Sequence, residues 1–241
     1  MRPRRRSALL ACLVVDAPGR PQQAILDELR RVILDGSVLP GTPIPLAEVA
    51  ELFGVSQIPV REALKTLIGE GLVTHRSNFG YAVAQLTPQE LREMYIVRET
   101  LEAAALAAAV VNATDEDRAA VVAANEALQR AVDDDDPAAY QRHSREFHLA
   151  LARPSRMHRL LRMLESAWNV TEPVQSMVHV PYADRAGLHA DHAQMVEAFL
   201  AGDADRLLSL AESHAQRLNT VIGKVPTDTG LFVLPNISSA Q

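Results

Sequence analysis

The chain has 241 residues, 48% of them apolar and 4% aromatic, with one cysteine; that is enough material for one or two cored domains, and it excludes an internal disulfide and a cysteine-based zinc cluster. The longest apolar stretches, such as residues 103–111, fall well short of the ~20 residues a bilayer crossing needs, so a soluble, cytoplasmic protein with no membrane partner is expected. The net charge of −6 divides unevenly, residues 1–86 holding 10 Lys and Arg against 8 Asp and Glu and the remainder 14 against 22, which implies different partners for the two parts.

The opening MRPRRRSALLACLVV places a basic run before an apolar one, as an export signal does. Too few apolar residues precede Cys12 for that reading, and residues 1–20 are expected to be a disordered basic arm. Residues 22–35 then put Ile25, Leu29, Val32 and Ile33 on one side of an amphipathic helix that Gly36 ends. Pro40-Gly41 makes a turn. A short second helix runs through LAEVAELF and stops at Gly54.

The third helix begins with Ser56 as its N-cap. Pro59 falls in its first turn, where backbone N–H groups have no intrahelical partner, so the proline removes nothing the helix needs. Ser56 is then expected to cap through the N–H of Ile58. Val60, Ala63, Leu64 and Leu67 form the buried stripe, while Gln57, Arg61 and Lys65 recur every fourth residue on another face. After Gly71, LVTHRSNFGYAVAQL alternates apolar and polar residues on either side of Ser77-Asn78-Phe79-Gly80, as a hairpin does. Three helices and a hairpin over residues 21–86 are the order of a winged helix-turn-helix, whose third helix enters a major groove.

Thr87-Pro88-Gln89-Glu90 gives the sharpest boundary, with cap, first-turn proline and capping-box glutamate in sequence. Residues 87–223 read as helices only. Thr114 starts one, Asp136-Pro137 another, and Gly202-Asp203 separates the last two. The run Asp133 to Asp136 reads as a solvated loop whose last Asp caps the next helix, because a calcium loop needs spaced ligands and a turn glycine. Residues 224–241 are expected to be a flexible tail. The fold class is therefore mainly α, a winged helix-turn-helix followed by an all-α bundle.

The first block resembles the GntR family of bacterial transcription regulators in Pro40-Gly41, Val49-Ala50-Glu51, Gly54-Val55-Ser56, Pro59-Val60-Arg61-Glu62-Ala63-Leu64, Leu67, Glu70-Gly71-Leu72-Val73, Gly80 and Val83. The resemblance implies a homodimer on a palindromic double-stranded operator, with Ser56, Gln57, Ile58, Arg61 and Lys65 on the reading helix and Ser77 and Asn78 on the wing. It also implies a second domain that senses a small molecule and, most often, repression. Four positions depart from the family: Gln57 replaces arginine, Ile58 threonine, Ala47 arginine, and Asn78 the wing-tip glycine. Asparagine tolerates the left-handed backbone better than most residues. Glutamine pairs with adenine where arginine pairs with guanine, so a preference for A at that half-site position is expected. Fewer cations also imply weaker, less salt-dependent binding.

Of eight histidines, His148, His192 and His214 fall in the apolar rhythm of three different helices and point toward a bundle interior. The region resembles the FCD effector domain of the FadR-like GntR branch in Val97-Arg98, Leu101-Glu102, Phe147-His148, His192, Gly202-Asp203 and His214. That resemblance implies a divalent metal, zinc or nickel, on His148, His192 and His214. It implies Arg98 as partner of a small organic acid effector. The aspartate the family places four residues before His148 is here Ser144, a poor metal ligand, which is expected with Arg98 among the effector-binding residues. His143 lies about 140° around the helix from His148 and cannot substitute. A metal-free polar pocket is the alternative state of this site. The alternative function is a three-histidine metal-dependent hydrolase or hydratase, since such a site can also activate water.

Overall fold

The computed structural model describes residues 7–15, 21–225 and 231–232. Its contacts divide these into two units: the residues up to Pro88 with 169–174 and 231–232, and residues 89–168 with 175–225.

In the first unit, helices α2 (Pro21–Leu34), α3 (Leu46–Leu52) and α4 (Gln57–Gly69) are joined by strands β1 (Pro43–Ile44), β2 (Val73–Arg76) and β3 (Gly80–Val83). The sheet order is β1-β3-β2 with both pairs antiparallel, and Val73↔Val83 and His75↔Tyr81 set the hairpin register. Ile25, Leu29, Val32 and Ile33 of α2 bury against Val60, Ala63, Leu64 and Leu67 of α4, with Val49 of α3 and Val83 of the sheet completing one core. This is the winged helix-turn-helix. Burying these branched side chains is the main force that holds so small a unit together.

Two expectations fail here. Residues 8–12, placed in a disordered arm, form helix α1 (Ala8–Cys12) instead, and Leu9 is 0% exposed within the winged-helix core. The Ser7 hydroxyl donates to the Pro43 carbonyl at 2.9 Å and fixes the start of that helix. The basic residues 1–6 and residues 16–20 lie outside the described residues. Ser56 does occupy the N-cap position of α4, but its side chain makes no capping hydrogen bond. Within the expected tail, Leu231 and Phe232 are buried and Phe232 bridges to Leu86; residues 226–230 and 233–241 lie outside the described residues.

The second unit is helical, built from α5 (Pro88–Asn112) after Pro88, α6 (Asp115–Asp133), α7 (Pro137–Ala152), α8 (His158–Thr171) as far as Trp168, α9 (Tyr182–Ala201) and α10 (Ala204–Ile222). Local chemistry sets the boundaries. Thr114 and Asp117 form a reciprocal capping box at α6. Asp136 accepts the N–H groups of Ala138 and Ala139 ahead of Pro137 at the start of α7, and Asp135 of the same acidic run pairs with Arg185. Gly202, at φ +75°, ends α9, and Asp203 caps α10 through the N–H of Arg206. A left-handed residue there is what glycine supplies without strain. Among the described residues no helix is long and apolar enough to cross a membrane.

Candidate functional site

The outward side of α4 carries Gln57, Arg61 and Lys65, all exposed, with Ser56 exposed at its start. Because its hydroxyl caps nothing, Ser56 keeps its hydrogen-bonding capacity for a partner. Lys65 bonds Glu62 at 2.8 Å on the exposed surface, a pair that water screens and a stronger anion can displace. Ile58 is 72% exposed beside Gln57.

At the wing tip the N–H of Phe79 donates to the Arg76 carbonyl at 3.0 Å, closing a turn through Ser77 and Asn78. Asn78 stands at φ +69°, the left-handed conformation expected of it, and Gly80 at φ +85° returns the chain to β3. Ser77 and Asn78 are exposed, and Phe79 is 88% exposed. Between Gly71 and Thr87 the chain carries Arg76 and His75 and no carboxylate. Period-two alternation gave no reason to single out Phe79, since it does not say which way a turn residue points.

The second constellation is buried. His148 on α7, His192 on α9 and His214 on α10 are 5%, 1% and 4% exposed, and each offers a ligand atom within 4.8 Å of the others. Two of them are carried in by apolar neighbours: Phe147 and Leu149 flank His148, and Leu188, Met195 and Phe199 bury the same side of α9 as His192.

The nitrogens are differentiated. Nε2 of His192 and Nε2 of His214 face each other at 3.2 Å, and Nε2 of His148 is buried with no hydrogen-bond partner. On the other side of the rings, Nδ1 of His148 lies 2.8 Å from Glu102 Oε2, and Nδ1 of His214 lies 3.4 Å from Asp191 Oδ2. Arg217 holds Asp191 at 2.8 Å. In His148 a carboxylate stands behind one nitrogen and an unsatisfied nitrogen in front, which is how metal-ligating histidines are oriented; Nδ1 of His192 and Nδ1 of His214 are buried without a hydrogen-bond partner.

The electrostatics agree. Burial, reinforced by the other histidines, holds His192 well below its ordinary pKa. Burial also holds His214 below its own, against the opposing pull of Asp191. Both are therefore neutral near pH 7, the form that ligates. Burial alone would raise the Glu102 carboxyl, but the charge and hydrogen bond of His148, with Arg98 and His214, outweigh it and leave the pKa low. These residues fit a divalent cation with nitrogen preference.

Arg98 is 4% exposed, with its guanidinium 3.0 Å above the Trp168 ring and its Nε 4.0 Å from Glu102. Trp168 donates to the same carboxylate at 3.2 Å. Ser144, one turn before His148, lines a small void with Tyr140, Gln141 and His192. His143 bonds Glu146 at 2.8 Å on the surface and takes no part. Glu102 and Asp191 are the site residues that sequence reasoning did not assign. Glu102 stands four residues after Arg98, a spacing that places the two on one helix face, and Asp191 adjoins His192.

Residues 21–83 match the model for bacterial regulatory proteins of the gntR family, and residues 93–217 match the FCD domain. The chain belongs to the GntR family, in its FCD-bearing, FadR-like branch. This regulator is 31% identical to the probable D-xylose utilization operon transcriptional repressor of Paenarthrobacter nicotinovorans, over 72% of its own chain and 76% of that relative. It is 30% identical to the uncharacterized regulator YdhC of Bacillus subtilis, over 43% of its own chain and only 46% of that relative. The fold is that of E. coli McbR/YncC, with a TM-score of 0.74, 24% identity and coverage of 86% and 99% of the two chains.

The GntR winged helix binds operator DNA, and the FCD domain binds a small-molecule effector. Both matched models and the named relatives are regulators, so the hydrolase or hydratase alternative finds no support.

Proposed function

We propose that this regulator is a cytoplasmic homodimer that represses from a palindromic operator, its affinity altered when a small carboxylate metabolite binds the three-histidine centre. The DNA contacts run from Ser56 through Gln57, Ile58, Arg61 and Lys65 into the major groove, with Ser77 and Asn78 on the flanking backbone or minor groove. Arg61 is the strongest cation on that face. Gln57 selects adenine through its paired donor and acceptor, a contact worth about 1–3 kcal/mol of discrimination. Exposed Ile58 adds an apolar surface that fits a thymine methyl.

In the helical domain, His148, His192 and His214 would hold zinc or nickel, with Glu102 and Asp191 orienting the rings. Such an ion would supply a Lewis acid for a carboxylate oxygen. Arg98 offers that acid a guanidinium, and Ser144 stands beside the same centre in place of a fourth ligand. The observation that carries the reading is the buried, unpartnered Nε2 of His148 beside the facing Nε2 atoms of His192 and His214. Leaving such a group unsatisfied costs about 1–3 kcal/mol, which an ion removes.

The test is a gel shift on the DNA upstream of the regulator's own coding region, with and without chelator. The proposal predicts a specific shift whose midpoint moves with metal and with added acid. A protein that gives no specific shift under any metal or salt condition refutes it.

A further inference from the structure

Two spaces adjoin the three-histidine centre, and their difference bears on what the effector is. On the Ser144 side the void bounded by Tyr140, Gln141, Ser144, Met177 and His192 has a volume of 10 Å³. That is room for one water and for no organic acid. Between α5 and α10 a cleft of 550 Å³ reaches the same centre, within the size range of small-molecule sites. Tyr95, Arg98, His214 and Leu218 border both spaces.

The cleft is chemically graded. Its buried end carries Arg98, Glu102, His148 and His214. Its walls are mainly apolar, with Ala103 from α5, Met195 from α9, and Leu208, Ala211, Ala215 and Leu218 from α10, beside the neutral polar Thr100, Ser209 and Asn219. Its lining also includes one carboxylate from each flanking helix, half-buried Glu99 and exposed Glu212. Apart from the histidines, Arg98 is the one cationic residue among the described residues that line the cleft.

We infer that the effector is a monocarboxylic acid with an extended apolar body, entering between α5 and α10. The inference rests on the reading of the histidine centre as the acid-binding site. The carboxylate goes to that centre and to Arg98. The hydrocarbon lies along Ala103, Met195, Leu208 and Leu218, where each fully buried methylene strengthens binding roughly fourfold. The body of the acid is neutral or cationic, because a second carboxylate in the cleft would meet two like charges, Glu99 and Glu212, among its lining residues. Ser144 then holds a water and does not touch the acid.

Isothermal titration of the zinc-loaded full-length protein with acetate, octanoate, octanedioate and ω-amino-octanoate tests this. Octanoate is expected to bind roughly 30-fold or more tightly than acetate. The amino acid should bind about as well as octanoate, and the diacid roughly tenfold more weakly. In Glu99→Gln/Glu212→Gln the diacid should recover. Ala215→Trp should bring octanoate down to the level of acetate while zinc content stays that of the wild type. If acetate matches octanoate, or the diacid binds as well as octanoate, the inferred class is wrong while the acid-binding centre stands. If none of the four acids binds, the acid-binding reading itself falls.

Discussion

Glu102 on α5 approaches His148 on α7 with Oε2 2.8 Å from Nδ1, and this contact turns the buried, unpartnered Nε2 of His148 toward His192 and His214. One carboxylate thereby fixes the tautomer and the ring orientation of a ligand two helices away.

Glu102→Gln keeps the shape of that contact and removes its charge. Zinc affinity, measured by competition with a chelating dye at fixed pH, is expected to fall about 10- to 100-fold. An unchanged affinity would mean that the carboxylate does not tune the histidines.

The metal-free protein should lose stability on mild acidification. His192 and His214 have folded-state pKa values held below their ordinary ones, so below about pH 6.5 the unfolded chain binds protons that the folded chain refuses. Stability is complete above that value and declines as pH falls through the window toward the folded values. Glu102 and Asp191, also lowered, add a separate loss that begins only near ordinary carboxylate values. The thermal midpoint of chelated protein should therefore drop between pH 7.5 and 5.5, and His192→Asn should flatten that slope. A midpoint flat across the interval in the wild type would contradict the sign.

Gln57→Arg should move the preferred base at one half-site position from A to G and steepen the salt dependence of binding by roughly one phosphate equivalent. Selection from random DNA reads the first effect, and a salt titration the second. Recovery of G by the wild type would remove the specificity assigned to Gln57.

Phe79, 88% exposed at a wing tip with no acidic neighbour in the hairpin, should gain contact on DNA binding. Phe79→Ala is expected to weaken operator binding about tenfold with an unchanged circular dichroism spectrum and thermal midpoint. Equal affinity would place the ring outside the DNA interface.

Leu9→Ala tests the segment that the composition misrepresented. Its side chain is wholly buried in the winged-helix core, so truncation should cost about 2–5 kcal/mol, read from urea unfolding of the full chain. A cost under about 0.5 kcal/mol would return residues 8–12 to a dispensable arm.

The periodic parts of the molecule were readable because burial imposes them. The stripe Val60, Ala63, Leu64 and Leu67 has one solution as a helix, and Asp136-Pro137 and Gly202-Asp203 mark ends by local hydrogen bonding alone. The same local logic erred at Ser56, whose cap position is real and whose capping bond is not made. It missed α1 because five residues carry no period, and only the tertiary pocket that receives Leu9 orders them. At the buried site the three histidines were visible through helix phase. Glu102 and Asp191 were not, because a carboxylate acquires that role only when another helix brings an imidazole to it.

Regulation by this protein requires coupling between the histidine centre and the operator. Fluorescence anisotropy of a labelled operator, recovered by selection, measures it directly on chelated protein, zinc-loaded protein, and zinc-loaded protein with octanoate, each beside His192→Ala. A specific Kd is expected that shifts at least fivefold between the chelated and the acid-bound wild type, and that does not shift in the variant. One Kd common to every state of the wild type would contradict it.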